Sequence, residues 1–187
     1  MATRDDGAAL AAIYRPYVLE TCVSFELDPP DGEAMAQRVA KVEGRLPWLV
    51  LERDGEVQAY AYATRLRARP AYDWIVESSV YVAREAQGGG LGGRVYGALF
   101  DVLSLQRLLW VYAAIALPNP GSQRFHGQMG FEHLGRFPAV GFKQGQWCDI
   151  DWWRRPLAGT PEGEPPAVLP VGAPELAEAI AECLAQS

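Results

Sequence analysis

The sequence predicts an α/β or α+β protein built on a mixed sheet, and three features of the sequence support that prediction. Apolar residues recur at helical spacing over residues 5–17 and 33–42. An antiparallel meander is expected next, because Asp54-Gly55 is a favoured two-residue hairpin turn. The order then becomes strand, glycine-rich loop, helix, strand, helix and strand, which is typical of a sheet covered by helices.

Two helices are predicted at the start of the chain. Residues 5–17 carry apolar side chains three and four positions apart, and Pro16 is expected to bend or stop this helix near its end. A second helix is predicted over residues 33–42, with Asp31 or Gly32 available near its start. Each helix is amphipathic and therefore has one face to bury.

Six strands and two further helices are predicted between residues 48 and 157. The helix after the glycine-rich loop has one apolar stripe, formed by Leu91, Val95, Leu99 and Leu103. Ser122 is expected to N-cap a short helix that ends at Met129. β-Branched, aromatic and apolar residues mark the strands at residues 48–52, 57–64, 74–82, 109–117, 131–137 and 146–153.

Composition restricts the class of protein. The chain has 187 residues, 49% of them hydrophobic, which suits one compact domain with a core. A net charge of −6 disfavours binding to a nucleic-acid backbone. No apolar run approaches the roughly 20 residues that cross a bilayer, and the first residues lack a signal-peptide pattern, so we expect no membrane partner.

Cysteines and histidines are too few for a disulfide framework or a metal site. Cys22, Cys148 and Cys183 are odd in number and widely spaced, with no C-x-x-C pattern. Only His126 and His133 could add imidazole ligands. We therefore expect a cytoplasmic protein in a reducing compartment, without a metal ion.

The C-terminal segment differs in composition from the rest of the chain. A domain boundary is predicted near Leu157, with a domain over residues 1–157 and a Pro- and Gly-rich tail over residues 158–187. The tail is expected to end in a short amphipathic helix at residues 175–185. Two roles remain open for that helix: packing on its own domain, which we favour, or joining a subunit interface.

A glycine-rich loop, residues 87–93, leads from a strand into a helix. Glycines let the backbone approach a ligand closely, and the unpaired N–H groups at a helix start attract an anion. The loop is therefore a candidate pyrophosphate site, with an ordinary turn as the alternative. A Rossmann site is disfavoured, because the loop follows an antiparallel meander and no carboxylate stands about 20 residues further on.

Glu77 is a carboxylate in the middle of an apolar strand. Burial would raise its pKa towards the range that suits a general base, whereas a side chain directed at solvent is the alternative. Asn119, at a strand end, has spare hydrogen-bonding groups, and His126 is expected one turn into the following helix.

The chain resembles the GNAT superfamily and, within it, the phosphinothricin N-acetyltransferase family. The Q-x-x-G-x-G pattern at residues 87–92 matches the acyl-CoA pyrophosphate signature of the superfamily. The resemblance implies the GNAT fold, a mostly antiparallel central sheet flanked by helices. Stretches that match the narrower family include YVLETCVSFE at 17–26, AYDWIVESSVYV at 71–82, IALPNPGS at 115–122, FHGQMGFEHLGRF at 125–137 and VGFKQGQWCDIDWW at 140–153.

The resemblance implies roles for the matched positions. Glu77 is expected to be the general base, His126 to assist at the active site, and Tyr96 to protonate the departing thiolate. Acetyl-CoA is the implied co-substrate. The residues expected to contact it are Val80, Tyr81, Val82, Gln87, Gly88, Gly89, Gly90, Leu91, Gly92, Gly93, Asn119 and Ser122.

The resemblance also implies the acceptor and the assembly. Phe25, Arg69 and Tyr72 match positions at the acceptor pocket, where a guanidinium can hold an anionic group. The expected reaction is direct transfer of acetyl to the amino group of a phosphinothricin-like or methionine sulfone- or sulfoximine-like compound, in a homodimer. Alternatives are an acetyltransferase for a polyamine or a protein N-terminus, and a non-catalytic acyl-CoA-binding module.

Two positions depart from the family pattern. Cys148 stands where the pattern G-x-W-H-D has histidine. Members usually begin with a strand that reads I-R-x-A-T, of which only Ala2-Thr3 matches here, so that strand is expected to be missing.

Overall fold

The computed structural model describes residues 1–160 and 162–186. Its α-helices are α1 (Gly7–Glu20), α2 (Gly32–Val42), α3 (Leu91–Leu105), α4 (Pro120–Gln128) and α5 (Ala177–Gln186). Its strands are β1 (Trp48–Arg53), β2 (Glu56–Arg65), β3 (Ile75–Val82), β4 (Trp110–Ala116), β5 (Glu132–Lys143) and β6 (Gln146–Pro156). The predicted order of helices, meander and alternating elements is confirmed.

One six-stranded sheet carries the strands in the order β1-β2-β3-β4-β6-β5. Neighbouring strands are antiparallel except β3 and β4, which are parallel. The parallel ladder is short: it joins residues 75–77 to residues 110–112, and the two strands separate beyond it. The sheet is therefore mixed and mostly antiparallel, as predicted, and it is forked between β3 and β4.

The sequence predicts that Pro16 bends or stops α1 near residue 17, but the helix continues to Glu20, so the stop is not observed. A proline inside a helix costs about 3 kcal/mol, because it lacks an N–H group and crowds the preceding turn. The last turn of α1 offsets this cost. Val18 is 1% exposed in the core, and the Tyr17 hydroxyl donates a hydrogen bond to the Val82 carbonyl at 2.7 Å.

The starts of α2 and α4 are both set by capping side chains. Asp31, one of the two candidates near this helix start, caps α2 by accepting a hydrogen bond from the Ala34 N–H group. The prediction that Ser122 caps α4 is wrong. Asn119 is the cap, and its Oδ1 accepts from the Ser122 N–H group at 3.0 Å. Proline is well suited to the first helical position, so α4 begins earlier than the sequence predicts.

This earlier start changes the position of His126 in α4. The sequence predicts this residue one turn into the helix, but α4 runs over Pro120–Gln128 and His126 lies in its last turn. Its side chain is buried.

The β5–β6 hairpin is longer than its sequence pattern predicts. β5 continues past Phe137 to Lys143, and its pairing with β6 shifts register between Phe137 and Gly141. Ala139, with φ of 50°, lies within this irregular region. An irregular stretch interrupts the two-residue alternation from which a strand is recognised, which explains why the predicted strand ends early.

The C-terminal helix packs on its own chain. Leu176 and Ile180 form a cluster with Val102 of α3, and the Leu169 N–H group donates to the Gln106 carbonyl at 2.9 Å. The favoured alternative for this helix is therefore the one observed. None of the helices in the described residues combines the length and apolar character that crossing a membrane requires.

Candidate active site

The site forms where β3 and β4 separate. A cleft of about 570 Å³ occupies the fork, a volume within the range of small-molecule sites. Its walls come from β3, β4, the glycine-rich loop and α4. Every predicted cofactor residue except Gly89 lines it: Val80, Tyr81, Val82, Gln87, Gly88, Gly90, Leu91, Gly92, Gly93, Asn119 and Ser122.

The exposed edge of β3 supplies backbone polar groups to the cleft. The Val82 carbonyl and N–H group face the Tyr17 hydroxyl, at 2.7 and 3.4 Å. Backbone groups alternate in direction along an antiparallel ladder, so those of Val80 also face the cleft. The backbone of Tyr81 instead faces β2, where Tyr81 pairs with Tyr60.

The glycine-rich loop ends at the N-terminus of α3. Gly88 and Gly90 have φ of 79° and 77°, a left-handed conformation that favours glycine. Gly90 is the N-cap of α3, and the first helical bond runs from the Arg94 N–H group to the Gly90 carbonyl. The N–H groups of residues 91–93 therefore precede the helical ladder and are available to an anion.

Gly92 allows close packing between α3 and β3. A Cβ atom at this position would lie 3.2 Å from the Val82 Cγ2 atom, which is tighter than an ordinary contact. Gln87 closes the opposite side of the loop, because its Nε2 donates to the Tyr17 hydroxyl at 3.0 Å. The loop, α1 and β3 therefore meet at one end of the cleft.

His126 is held as a neutral imidazole at the α4 side of the cleft. Its Nδ1 lies 2.9 Å from the Ser122 carbonyl, which can only accept, so Nδ1 carries the hydrogen. Burial lowers the pKa of His126, and the hydrogen bond to Ser122 opposes this effect only in part. The Nε2 atom is then free of hydrogen and can accept.

Tyr96 lies behind the cleft wall. Its side chain is 0% exposed, and its hydroxyl is 2.7 Å from the Ser78 Oγ and 3.4 Å from the His126 Nε2. Burial raises the pKa of Tyr96, so the phenol keeps its proton. Ser78 and His126 line the cleft, and both separate Tyr96 from it.

Glu77 stands at the vertex of the fork. It forms the last pair of the parallel ladder, opposite Tyr112. The side chain is half-buried, and burial raises the pKa of its carboxyl group, while the positive charge of Arg67 opposes the rise. Side chains alternate along a strand, so Glu77 and Ser78 project from opposite faces of the sheet.

The predicted acceptor residues lie outside the lining of this cleft. Arg69 and Tyr72 belong to the exposed segment between β2 and β3, with Tyr72 39% exposed. Phe25 is half-buried in the segment after α1 and packs against Gly141 of β5, where an added Cβ atom would lie 2.2 Å from its ring. The structure therefore does not gather these three residues with the cofactor residues.

Sequence reasoning missed several residues of the site. Tyr17 and Ser78 line the cleft, and Arg67 acts electrostatically on Glu77. Ser78 could have been found as the neighbour of a candidate base, but Tyr17 has the pattern of an ordinary apolar position of a helix. Among the described residues, no group of three or more His, Cys, Asp or Glu side chains could hold a metal ion.

The fold and the forked sheet define a class of protein: the chain belongs to the GNAT acetyltransferases. The family model described as an acetyltransferase (GNAT) domain matches residues 1–152. The protein is therefore an N-acetyltransferase, and the predicted fold and class of enzyme are confirmed.

Individual relatives narrow the comparison. The chain is 38% identical over 154 residues to a phosphinothricin N-acetyltransferase of Streptomyces viridochromogenes. The match covers 82% of this chain and 84% of that protein. It is also 32% identical over 160 residues to an L-methionine sulfoximine/L-methionine sulfone acetyltransferase of Salmonella typhimurium. That match covers 83% of this chain and 92% of that protein.

A solved structure agrees with these relatives. The phosphinothricin acetyltransferase of Sinorhizobium meliloti, in complex with AcCoA, has a TM-score of 0.84 and 34% identity, covering 92% of this chain and 94% of that chain. The resemblance to the phosphinothricin N-acetyltransferase family is thus confirmed.

Proposed function

We propose that this protein transfers the acetyl group of acetyl-CoA to the amino group of a small amino-acid-like acceptor, of the phosphinothricin or methionine sulfone and sulfoximine type. One observation carries the proposal. The cleft in the fork between β3 and β4 brings the unpaired N–H groups of α3 beside the open edge of β3, and Glu77 is the last residue of β3 that pairs with β4 before the cleft opens. The names of the relatives support the class of acceptor.

The cleft fits acetyl-CoA on two grounds. The N-terminus of α3 and the glycines before it form a backbone cradle suited to a pyrophosphate. The backbone groups of Val80 and Val82 lie along an unpaired strand edge, where they can bond to the amides of an extended arm. Asn119 and Ser122 line the other wall and are assigned to the same arm.

Glu77 is assigned the role of general base. Attack on a thioester requires a neutral amine, so the acceptor ammonium must first lose a proton. The half-buried carboxylate, with a pKa raised by burial, accepts that proton directly or through one water molecule. N–H groups on the unpaired edge of β3 donate to the oxygen that becomes negative during attack.

Tyr96 is assigned to protonation of the leaving sulfur, acting through Ser78. Acetyl-CoA supplies an acetyl thioester, and its sulfur leaves as a thiolate that needs a proton. The Tyr96 hydroxyl is enclosed, but the Ser78 hydroxyl lies 2.7 Å from it and also lines the cleft. Ser78 can pass a proton to the sulfur while it receives one from Tyr96. The His126 ring packs edge-on against the Tyr96 ring, with centroids 5.7 Å apart, and this contact orients the phenol.

The acceptor binds on the side of the vertex that faces Arg67. The positive charge of Arg67 acts on Glu77, and the same guanidinium would also attract an anionic group of the acceptor. Arg69, Tyr72 and Phe25 are assigned to the same pocket on the family resemblance. Arg69 and Tyr72 lie in the exposed segment between β2 and β3, which also carries Arg67.

A homodimer and a cytoplasmic location complete the proposal, with the catalytic domain at residues 1–157 and the tail at residues 158–187.

Three aromatic side chains of the β5–β6 hairpin are each more than half exposed: Phe137, Phe142 and Trp147. Such a cluster of exposed aromatic side chains is typical of a subunit interface. We expect light scattering to give the mass of a dimer for the native protein and of a monomer for Trp147→Glu. A monomeric native protein would rule the dimer out.

The function is tested by measuring thiol release from acetyl-CoA with a panel of acceptors. The panel contains phosphinothricin, methionine sulfone, methionine sulfoximine, free amino acids and polyamines. We expect the highest kcat/KM with one of the first three. A higher kcat/KM with a polyamine would overturn the acceptor class. Failure with every acceptor, while acetyl-CoA still raises Tm, would overturn catalysis and leave a binding module.

A further inference from the structure

Two cysteines meet outside the cleft, where the segment after α1 crosses the β5–β6 hairpin. The Gln146 Nε2 donates to the Cys22 Sγ at 3.4 Å, and the Cys148 Sγ lies 4.0 Å from the Gln146 carbonyl oxygen. The Cys22 sulfur thus lies against the Gln146 side chain and the Cys148 sulfur against the Gln146 backbone, and the two thiols also interact with each other directly. Cys22 is half-buried, whereas Cys148 is 1% exposed, and neither forms a disulfide bond here.

Specific contacts hold this segment against one face of the hairpin. Gly141 pairs with Cys148, and Lys143 lies two positions further along β5 on the same face. The Lys143 Nζ donates to the Ser24 carbonyl at 2.6 Å, and the Phe25 ring lies against Gly141. On the other side of Cys22, the Gln144 Nε2 donates to the Leu19 carbonyl at 3.1 Å, so the crossing is defined by residues on both sides of the cysteine.

We infer that Cys22 and Cys148 form a modification site, a dithiol that a small-molecule disulfide such as oxidised glutathione converts into an intramolecular disulfide bond. The buried Lys143 ammonium stands close enough to both thiols to act on them electrostatically. Its positive charge favours the thiolate of Cys148, and the thiolate is the reactive form of cysteine.

The two cysteines have different parts in this reaction. Burial and the neighbouring Cys22 thiol raise the pKa of Cys148, so Cys148 remains a thiol in the resting protein. Cys22 is the more exposed of the two and is the first to meet a disulfide from solution. Cys148 then acts as the resolving thiol.

The Cys22–Cys148 bond forms through two successive thiol–disulfide exchanges. The Cys22 thiolate attacks one sulfur of the small disulfide, which forms a mixed disulfide and releases one small thiolate. The Cys148 thiolate then attacks the Cys22 sulfur, which forms the Cys22–Cys148 bond and releases the second. The two cysteine thiols are oxidised, the small disulfide is reduced to two thiols, and these take up the two cysteine protons.

The new bond would restrain the wall of the active site. Val23, next to Cys22, lines the cleft, and Phe25 belongs to the assigned acceptor pocket. A bond from Cys22 to β6 pins this segment to the hairpin and hinders its movement during acceptor exchange. This consequence rests on the proposed function, whereas formation of the bond does not.

The test uses the full-length protein and three variants: Cys22→Ser, Cys148→Ala and Cys183→Ser. Each is incubated with oxidised glutathione and digested without reduction for mass mapping. We expect the native protein and Cys183→Ser to lose two hydrogen atoms and to give one peptide pair linked through Cys22 and Cys148. We expect no linked pair from the other two variants. Oxidation should raise the Tm of the native protein by about 10 °C, since the bond closes a long loop.

Two results would overturn the site: a stable glutathione adduct on Cys22 without the linked pair, or a linked pair that contains Cys183. Because Cys148→Ala alters a buried position, Cys22→Ser at the more exposed position keeps the test valid if the former fails to fold. Oxidised native protein should acetylate its acceptor severalfold more slowly and recover with dithiothreitol. An unchanged rate in the linked protein would overturn the effect on the acceptor site. No turnover by the reduced protein would refute the proposed function alone, since the mass map does not depend on catalysis.

Discussion

The proposed active site has two ends made of different groups: the acetyl-CoA end lines the cleft, whereas the residues assigned to the acceptor end lie outside that lining. The end assigned to acetyl-CoA consists largely of backbone: the N–H groups at the start of α3, the glycines before it and the unpaired edge of β3. The end assigned to the acceptor depends on side chains from separate segments, among them Glu77, Arg67 and Phe25.

This difference decides how each end responds to substitution. A backbone site depends on conformation, so it is sensitive to the residues that allow that conformation and insensitive to most others. A side-chain site depends on individual functional groups, so single replacements there remove chemistry without disturbing the fold. Substitutions at each end, and at a cap between them, separate the two kinds of dependence.

The largest effect is expected for Glu77→Gln. Loss of the base should lower kcat by about 100- to 1000-fold, since general-base catalysis contributes on this scale. The Kd of acetyl-CoA should remain unchanged, because the glutamine retains the size of the side chain. Steady-state kinetics and calorimetric titration measure the two quantities. The matched control is Glu56→Gln at an exposed position of β2, and a similar loss there would remove the special role of Glu77.

The pH dependence of kcat/KM should also report the ionisation of Glu77. Burial raises the pKa of Glu77, and protonation below that pKa blocks the base. On the acid side, kcat/KM should therefore fall by about tenfold for each pH unit, with a midpoint above that of an ordinary glutamate. This fall of kcat/KM at low pH, the acid limb of the profile, should disappear in Glu77→Gln. Its persistence there would assign the limb to another group, with His126, whose pKa is lowered, as the first candidate.

The backbone end is tested by Gly90→Ala beside Gly55→Ala. The two glycines have φ of 77° and 80°, and neither has a heavy atom within 4 Å of an added Cβ atom. Each alanine should lower the free energy of unfolding by about 1 kcal/mol. Only Gly90→Ala should weaken acetyl-CoA binding, by about tenfold, because Gly55 lies in the β1–β2 turn. Equal Kd values for the two variants would contradict a pyrophosphate site at this loop.

The smallest effect is expected at the cap of α4. Asn119→Ala removes the Oδ1 atom that accepts from the Ser122 N–H group, and it should lower the free energy of unfolding by about 1 kcal/mol. Asn119→Asp retains an accepting oxygen and should be close to native in urea denaturation. If the aspartate variant were as unstable as the alanine variant, the loss would not come from the cap.

The acetyl-CoA end of the site can be predicted from the sequence more directly than the acceptor end. The glycine-rich loop is recognisable in the sequence alone, since its residues are contiguous and positive φ favours glycine. The strand that carries Glu77 is equally predictable, because its composition is strongly β-forming. By contrast, the acceptor side can be assigned only by resemblance, since its segments are far apart in the chain.

The errors in element boundaries have local physical causes. Pro16 is tolerated inside α1 because Tyr17 and Val18 are held by distant parts of the fold. The start of α4 is ambiguous in the sequence because two candidate caps, Asn119 and Ser122, stand near each other, and only the structure shows which one accepts a hydrogen bond. The irregular pairing of β5 has no simple sequence period.

By itself, the sequence determined the order of helices and strands, the glycine-rich loop and the identity of the carboxylate in β3, because periodicity, turn chemistry and residue type are local properties. Only the tertiary structure decided that β3 and β4 separate after Glu77, that Tyr96 lies behind Ser78, and that Cys22 meets the hairpin of Cys148. Those relations depend on strand pairing and side-chain packing between distant segments, which local sequence patterns do not encode.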